Sequence, residues 1–386
     1  MNPPERTSGT DDREFTYAGE TALSPILWPV PPSSPAAAPR AVAPDVVRAV
    51  AIALVVVLHT AGAVANPGPA AGLTAFWAGN IYDSLARAGV PLFVLLTGWL
   101  LLAPERMGEP LVRFFRRRLD RVALPLVTWS VVAWVWIAVR DHHAIGWSRF
   151  WRELLAGPVF YHLWYVYVLL GLYLAIPVLR PLATQAAPSL RWYALGLWFV
   201  GTAVLPLWAW WGGPSIGIPV LVVSTYVGYL LAGTWLAATP LSRRTAWELV
   251  LLFLLAAVWT IVTTARLTGD EHLNVILFSY DRPNVVVMAL VAFVLLTQPQ
   301  PAAWVARHPV TLALVRAFAA SSYGIYLLHP LLLDVLGSGV LGARITGATL
   351  PAFVGIPGLA AGLLFVSLGL MTVARRVPVV GRIVGA

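Results

Sequence analysis

Apolar runs of membrane-spanning length recur along the whole chain, and they limit the possible folds more than any other feature. Residues 47–62 read VRAVAIALVVVLHTAG and residues 283–296 read PNVVVMALVAFVLL. A helix needs roughly 18–20 such residues to cross the hydrocarbon core. The totals agree with this: of 386 residues, 59% are hydrophobic and only 11% are charged. A soluble domain of this size carries about twice that share of charge. The expected fold class is therefore all-α, a polytopic membrane helix bundle of about ten transmembrane helices embedded in a lipid bilayer. The spans fall near 44–65, 88–103, 122–139, 159–179, 191–211, 217–238, 246–265, 283–298, 318–336 and 351–374. A mixed helix over 75–87 leads into the second of them.

The first 43 residues are a different material. WPVPPSSPAAAPR is too rich in proline and small residues to build a core, so 1–43 reads as a disordered tail. Its long charged stretch excludes a signal peptide. The transmembrane domain then covers 44–376, and 377–386 forms a short C-terminal tail.

Charge gives the orientation. The net charge of +9 would suggest nucleic acid in a soluble protein, but here the arginines sit in loops between spans. With the N-terminus in the cytoplasm, inner loops receive Arg106, Arg113, Arg116, Arg117, Arg118, Arg121, Arg180, Arg191, Arg243, Arg244, Arg307, Arg316, Arg375, Arg376 and Arg382. Outer loops receive only Arg140, Arg149, Arg152, Arg266, Arg282 and Arg344. That bias predicts both termini in the cytoplasm, a multi-pass protein of the cell membrane and no nucleic-acid partner. There is no cysteine, which excludes thiolate chemistry and cysteine-held metals. There is no lysine either, which excludes a Schiff base.

The informative residues are those that do not belong in lipid. Arg48 and His59 are separated by about three helical turns, so they share one face, about 16 Å apart along the axis. Asp45 lies one turn before Arg48 on the same side. A polar stripe on an apolar span normally faces the bundle interior or a wet cavity, although a helix–helix hydrogen bond would also account for a lone histidine. In FFRRRLDRVALPL, residues 114–126, Arg117, Arg118 and Arg121 crowd the inner end of the third span. Positive-inside clustering alone would put arginines there; a clamp for phosphate groups is the functional alternative. Asp83 and Arg87 are spaced to pair on one helix face. YHLWYVYVLLGLYL places His162 and Trp164 at the outer end of the fourth span, as an interfacial belt or part of a site. SSYGIYLLHPLLLD brings Tyr323, His329 and Asp334 together, with Pro330 predicting a kink at His329. His142 and His143 form a pair in an outer loop, and His272 and His308 read as ordinary loop residues. No metal-ligand spacing, P-loop, GxSxG or nucleotide-binding glycine pattern is found.

Taken in order, DVVRAVAIALVVVLH, RAGVPLFVLLTGWLL, FFRRRLDRVALPLVTWS, YHLWYVYVLLGLYLAIPVL and SSYGIYLLHP resemble the acyltransferase 3 family of integral-membrane O-acyltransferases. The resemblance runs over about 44–336 and is closest to the branch that O-acetylates surface polysaccharides. It implies that Arg48 and His59 match the family's R-x10-H pattern, with His59 catalytic. It implies that Arg118 and Arg121 match an RxxR pattern linked to acyl-CoA use, and that Arg87 matches the arginine before the GVPLF-like segment. Thr97 departs from the usual serine, a conservative change. Some relatives add an esterase-like domain after the last span, and none is expected here.

The implied activity is transfer of an acyl group, acetyl above all, from acetyl-CoA or another acyl-CoA to a hydroxyl of a glycan or glycosylated small molecule. No cofactor is bound, and the donor is a co-substrate. A neutral His59 would act as the base, or would carry the acyl group itself. Arginines at the inner mouth would hold the donor, and one continuous passage would join the two. A transporter or flippase of a lipid-linked sugar or small solute explains many spans and buried polar groups equally well. Monomer and homodimer both remain open.

Overall fold

The computed structural model describes residues 42–142, 146–213 and 225–385. The tail expected over 1–43 (but for its last two residues), His143 and the start of the sixth expected span lie outside the described residues. All regular structure among the described residues is helical. In chain order the helices are α1 (Val42–Ala65), α2 (Leu73–Ala86), α3 (Gly89–Leu101), α4 (Leu111–Arg118), α5 (Leu124–Arg140), α6 (Trp147–Ala156), α7 (Trp164–Gln185) and α8 (Pro188–Phe199). They continue with α9 (Leu205–Trp210), α10 (Thr225–Leu236), α11 (Arg243–Leu267), α12 (Pro283–Leu296), α13 (Pro299–Arg307), α14 (Pro309–Ser338), α15 (Ala352–Ala374) and α16 (Pro378–Val384). Among the described residues, nine helical stretches are long and apolar enough to span a membrane. α10 is the described part of the remaining expected span.

Helix α1 is the axis of the bundle and packs against α2, α3, α14 and α15. Val47, Ala51, Ile52, Val55, Val56 and Ala61 on it are fully buried, and small residues let its neighbours come close. On α2, a β-carbon added at Gly79 would meet the backbone of Ala61 and Ala65. The α3–α10 crossing is tighter still. A β-carbon at Gly98 would strike the Leu230 carbonyl, and one at Gly233 the Leu95 carbonyl. Helix α11 is peripheral, with Leu251, Leu254, Leu255 and Val258 exposed, as expected of a lipid-facing surface.

Several boundaries differ from the sequence reading. The second span begins at Leu73, because α2 continues almost directly into α3. The third begins at Leu111, and the stretch Leu119–Ala123 between α4 and α5 is a π-helical turn. Pro125 supplies the reason. It cannot donate to the Arg121 carbonyl, and its ring crowds that carbonyl, so the turn widens. Tyr323 on α14 donates to the Val122 carbonyl within the widened turn, at 3.1 Å. Helix α14 continues through Pro330 to Ser338. The short C-terminal tail contains α16, tied down where Trp129 donates to the Val384 carbonyl at 3.2 Å.

Candidate active site and its two cavities

Arg48 and His59 of α1 line two different cavities. One cavity, of about 970 Å³, is lined by His59, Asp83, Arg87, Tyr161, Trp164, Tyr226, Phe278, Tyr280, Asp281 and Asp334, among others. The other, of about 360 Å³, is lined by Arg48, Phe93, Thr97, Arg106, Arg117, Arg118, Arg121 and Tyr173, with a few aliphatic neighbours.

In the histidine cavity, the His59 Nδ1 lies 2.9 Å from the Nε2 of His329 on α14. The Nδ1 of His329 lies 2.8 Å from the Ile325 carbonyl one turn back. Tyr161 stands edge-on to His59, with ring centres 5.4 Å apart. His162 is buried, its ring centre 6.3 Å from that of His329. The Tyr326 hydroxyl donates to the His162 backbone carbonyl. Neither ring nitrogen of His162 makes a hydrogen bond to a described residue. Also in the lining, Arg87 donates to Asp83 at 2.6 Å and lies 4.1 Å over the Phe278 ring. Trp164 stacks on Tyr280, with centres 5.6 Å apart. Asp334 accepts from Arg140 at 2.8 Å and from the Trp136 indole at 2.6 Å, which ties α14 to α5 at the rim.

The arginine cavity is organised around Glu109, in the connection between α3 and α4. Arg180 donates to it at 2.9 Å, and Arg118, Arg117 and Arg106 approach it at 3.6, 3.7 and 3.9 Å. Partial burial pushes the Glu109 carboxyl up, but the Arg180 hydrogen bond and the Arg118, Arg180 and Arg106 charges outweigh it. The net effect holds the carboxyl below its usual range. Arg180 also donates to the carbonyls of Leu101 and Arg106, fastening the α3–α4 connection onto α7. Arg48 pairs with Asp45 at 3.7 Å on the approach to this cavity.

The candidates from the sequence thus separate into two groups. His59, Asp83, Arg87 and Trp164 line one cavity, with His329 and His162 packed behind His59. Arg48, Arg117, Arg118 and Arg121 line the other, and Tyr323 braces the turn that carries Arg121. Among their described lining residues the two cavities have none in common, which departs from the single passage expected. Aromatic rings link them instead. Phe93, a wall of the arginine cavity, lies 6.4 Å from Tyr165, and Tyr165 lies 5.6 Å from Tyr326. Tyr326 is 6.2 Å from His329, measured between ring centres.

Several residues escaped the sequence reading. Arg180, expected in an inner loop, is buried inside α7 at 4% exposure. A charge inside LYLAIPVLRPLAT was a signal that could have found it. Glu109 sits in a short polar connection and gave no such signal. Tyr226, Tyr280 and Asp281 come from segments far apart in the chain from His59. A family model described as acyltransferase domain matches residues 42–374. No curated protein and no solved structure matches the chain.

Proposed function

The chain belongs to this acyltransferase domain family, and from that premise we propose that it moves an acyl group, acetyl in the simplest case, from a coenzyme A thioester to a hydroxyl of a glycan or glycosylated small molecule. Family membership supports a membrane acyltransferase over the transporter reading. One observation supports the finer proposal above the rest. A single helix carries Arg48 into a guanidinium-lined cavity and, about 16 Å further along, His59 into an aromatic cavity edged with carboxylates.

In this reading the arginine cavity faces the cytoplasm, in keeping with the arginine bias of that side. Paired N–H donors of Arg118, Arg121 and Arg117 suit the phosphate groups of the donor. The histidine cavity receives the acceptor. Its flat rings, Trp164, Tyr226 and Tyr280, suit the apolar faces of a sugar, and Asp281 and Asp334 can accept from its hydroxyls.

The acceptor oxygen attacks the thioester carbonyl carbon, and His59 takes the hydroxyl proton as the C–O bond forms. The C–S bond then breaks, and the same proton passes to sulfur, releasing a free thiol. The thioester reaches His59 when the Phe93 and Tyr165 side chains move aside. The test is a reconstituted protein supplied with acetyl-CoA and a simple glycoside. The wild type should release thiol and acylate the glycoside, and folded His59→Ala should do neither. A wild-type protein that moves sugar across the bilayer but releases no thiol would refute the proposal.

A further inference from the structure

We infer that His329, anchored by the Ile325 carbonyl, fixes the His59 proton on Nδ1, so that Nε2 is the nitrogen that takes the acceptor's proton. This rests on the reading of His59 as the base, and adds to it a positioning residue and the identity of the reacting atom.

The argument follows a chain of donors and acceptors. A carbonyl oxygen can only accept, so the His329 Nδ1, 2.8 Å from Ile325 O, carries a hydrogen. A neutral imidazole has one N–H, which leaves the His329 Nε2 with a lone pair. The 2.9 Å contact between this Nε2 and the His59 Nδ1 then requires the hydrogen to sit on His59. His59 in turn keeps its lone pair on Nε2, on a ring that lines the large cavity.

The opposite assignment would need His329 as an imidazolium. That ring is fully buried, and the side chains in ring contact with it are His59, His162 and Tyr326, none of them a carboxylate. The acid on the same helix, Asp334, is engaged by Arg140 and Trp136. A buried cation without a partner is costly, so the neutral form is favoured. The arrangement parallels the serine-hydrolase triad, where a third group holds the base in one tautomer; here the His329 imidazole, itself fixed by the Ile325 carbonyl, stands in the carboxylate's place.

During transfer, the hydroxyl proton goes to the His59 Nε2, while Nδ1–H stays hydrogen-bonded to His329. The same Nε2 proton then passes to the thiolate, which returns His59 to its starting tautomer.

Two variants and one spectroscopic measurement test this. His329→Phe keeps a ring but has no acceptor; His329→Gln keeps an acceptor. ¹⁵N-histidine spectra of the folded wild type, assigned by difference from His59→Ala, should show His59 with Nε2 bare and Nδ1 protonated. His329→Phe should lose about 10²–10⁴-fold in kcat, with the KM for donor and acceptor little changed, and His329→Gln should recover most of the loss. A bare His59 Nδ1 in the wild type would overturn the inference even if the Phe variant does not fold. So would a folded His329→Phe with wild-type kcat, or a Gln variant no better than Phe. An active His59→Ala would instead refute the reading of His59 itself, and so separates the two failures.

Discussion

The two ends of α1 hold polar groups inside an apolar bundle in opposite ways. At one end Arg106, Arg117 and Arg118 share a single carboxylate, Glu109, at 3.6–3.9 Å, and only Arg180 makes a close bond to it. At the other end the contacts of His59 and His329 are directional hydrogen bonds of 2.9 and 2.8 Å. Coulomb attraction falls off slowly with distance and tolerates a displaced partner. A hydrogen bond loses its strength with small errors in distance or angle. The arginine cavity is therefore suited to catching a flexible polyanion, and the histidine cavity to placing one lone pair. Substitutions should separate accordingly, into graded effects on binding at one end and steep effects on turnover at the other.

The sharpest way to break this contrast is His59→Ala. Removing a general base typically costs about 10²–10⁴-fold, and donor affinity, measured by equilibrium binding of a non-hydrolysable acyl-CoA analogue, should stay close to wild type. Comparable losses in both quantities would mean that the two cavities do not divide the work. Next in size are Arg118→Ala and Arg121→Ala. A charge-assisted hydrogen bond contributes roughly 1.5–3 kcal/mol, so each should raise the donor KM by about tenfold or more with kcat nearly unchanged. Added salt should weaken wild-type donor binding more than that of either variant. A fall in kcat at constant KM would place these arginines in the chemistry instead.

How far the molecule could be read from its sequence follows the same division. The bilayer forces each span to announce itself as an apolar run, so the helical bundle was legible. The shared face of Arg48 and His59 was legible too, because it depends only on helical periodicity. The meeting of His59 with His329 was not, since 270 positions separate them and no local pattern encodes the contact. The π-turn at Leu119–Ala123 also went unread, although Pro125 lies just beyond it. The single passage was inferred from helix geometry, and that geometry carries no information about Phe93, Tyr165 and Tyr326, which come from three different helices.

Glu109 offers a smaller test of the arginine end. Its folded-state carboxyl titrates below the ordinary value of 4.5 because its guanidinium neighbours outweigh the effect of burial. A depressed carboxylate contributes stability above the unfolded value and loses it as pH falls through the folded one. The difference in thermal stability between wild type and Glu109→Gln should therefore be full near neutral pH, shrink below about 4.5 and vanish in stronger acid. A difference that stays constant over that range would show that Glu109 acts through packing rather than charge.

The smallest effect concerns the partition itself. Phe93 is the ring on the arginine side of the aromatic run, and it touches Tyr165 on α7. If the rings keep water in the large cavity away from the thioester, Phe93→Ala should raise thiol release in the absence of acceptor, since sealed sites suppress hydrolysis of reactive groups. The rise should be several-fold, with acyl transfer to acceptor falling relative to thiol release. The leak also has to run through His59, so the double variant Phe93→Ala with His59→Ala should release no more thiol than His59→Ala alone. Equal leakage with and without His59 would mean that water reaches the thioester from the arginine side, and that the partition does not guard the reaction.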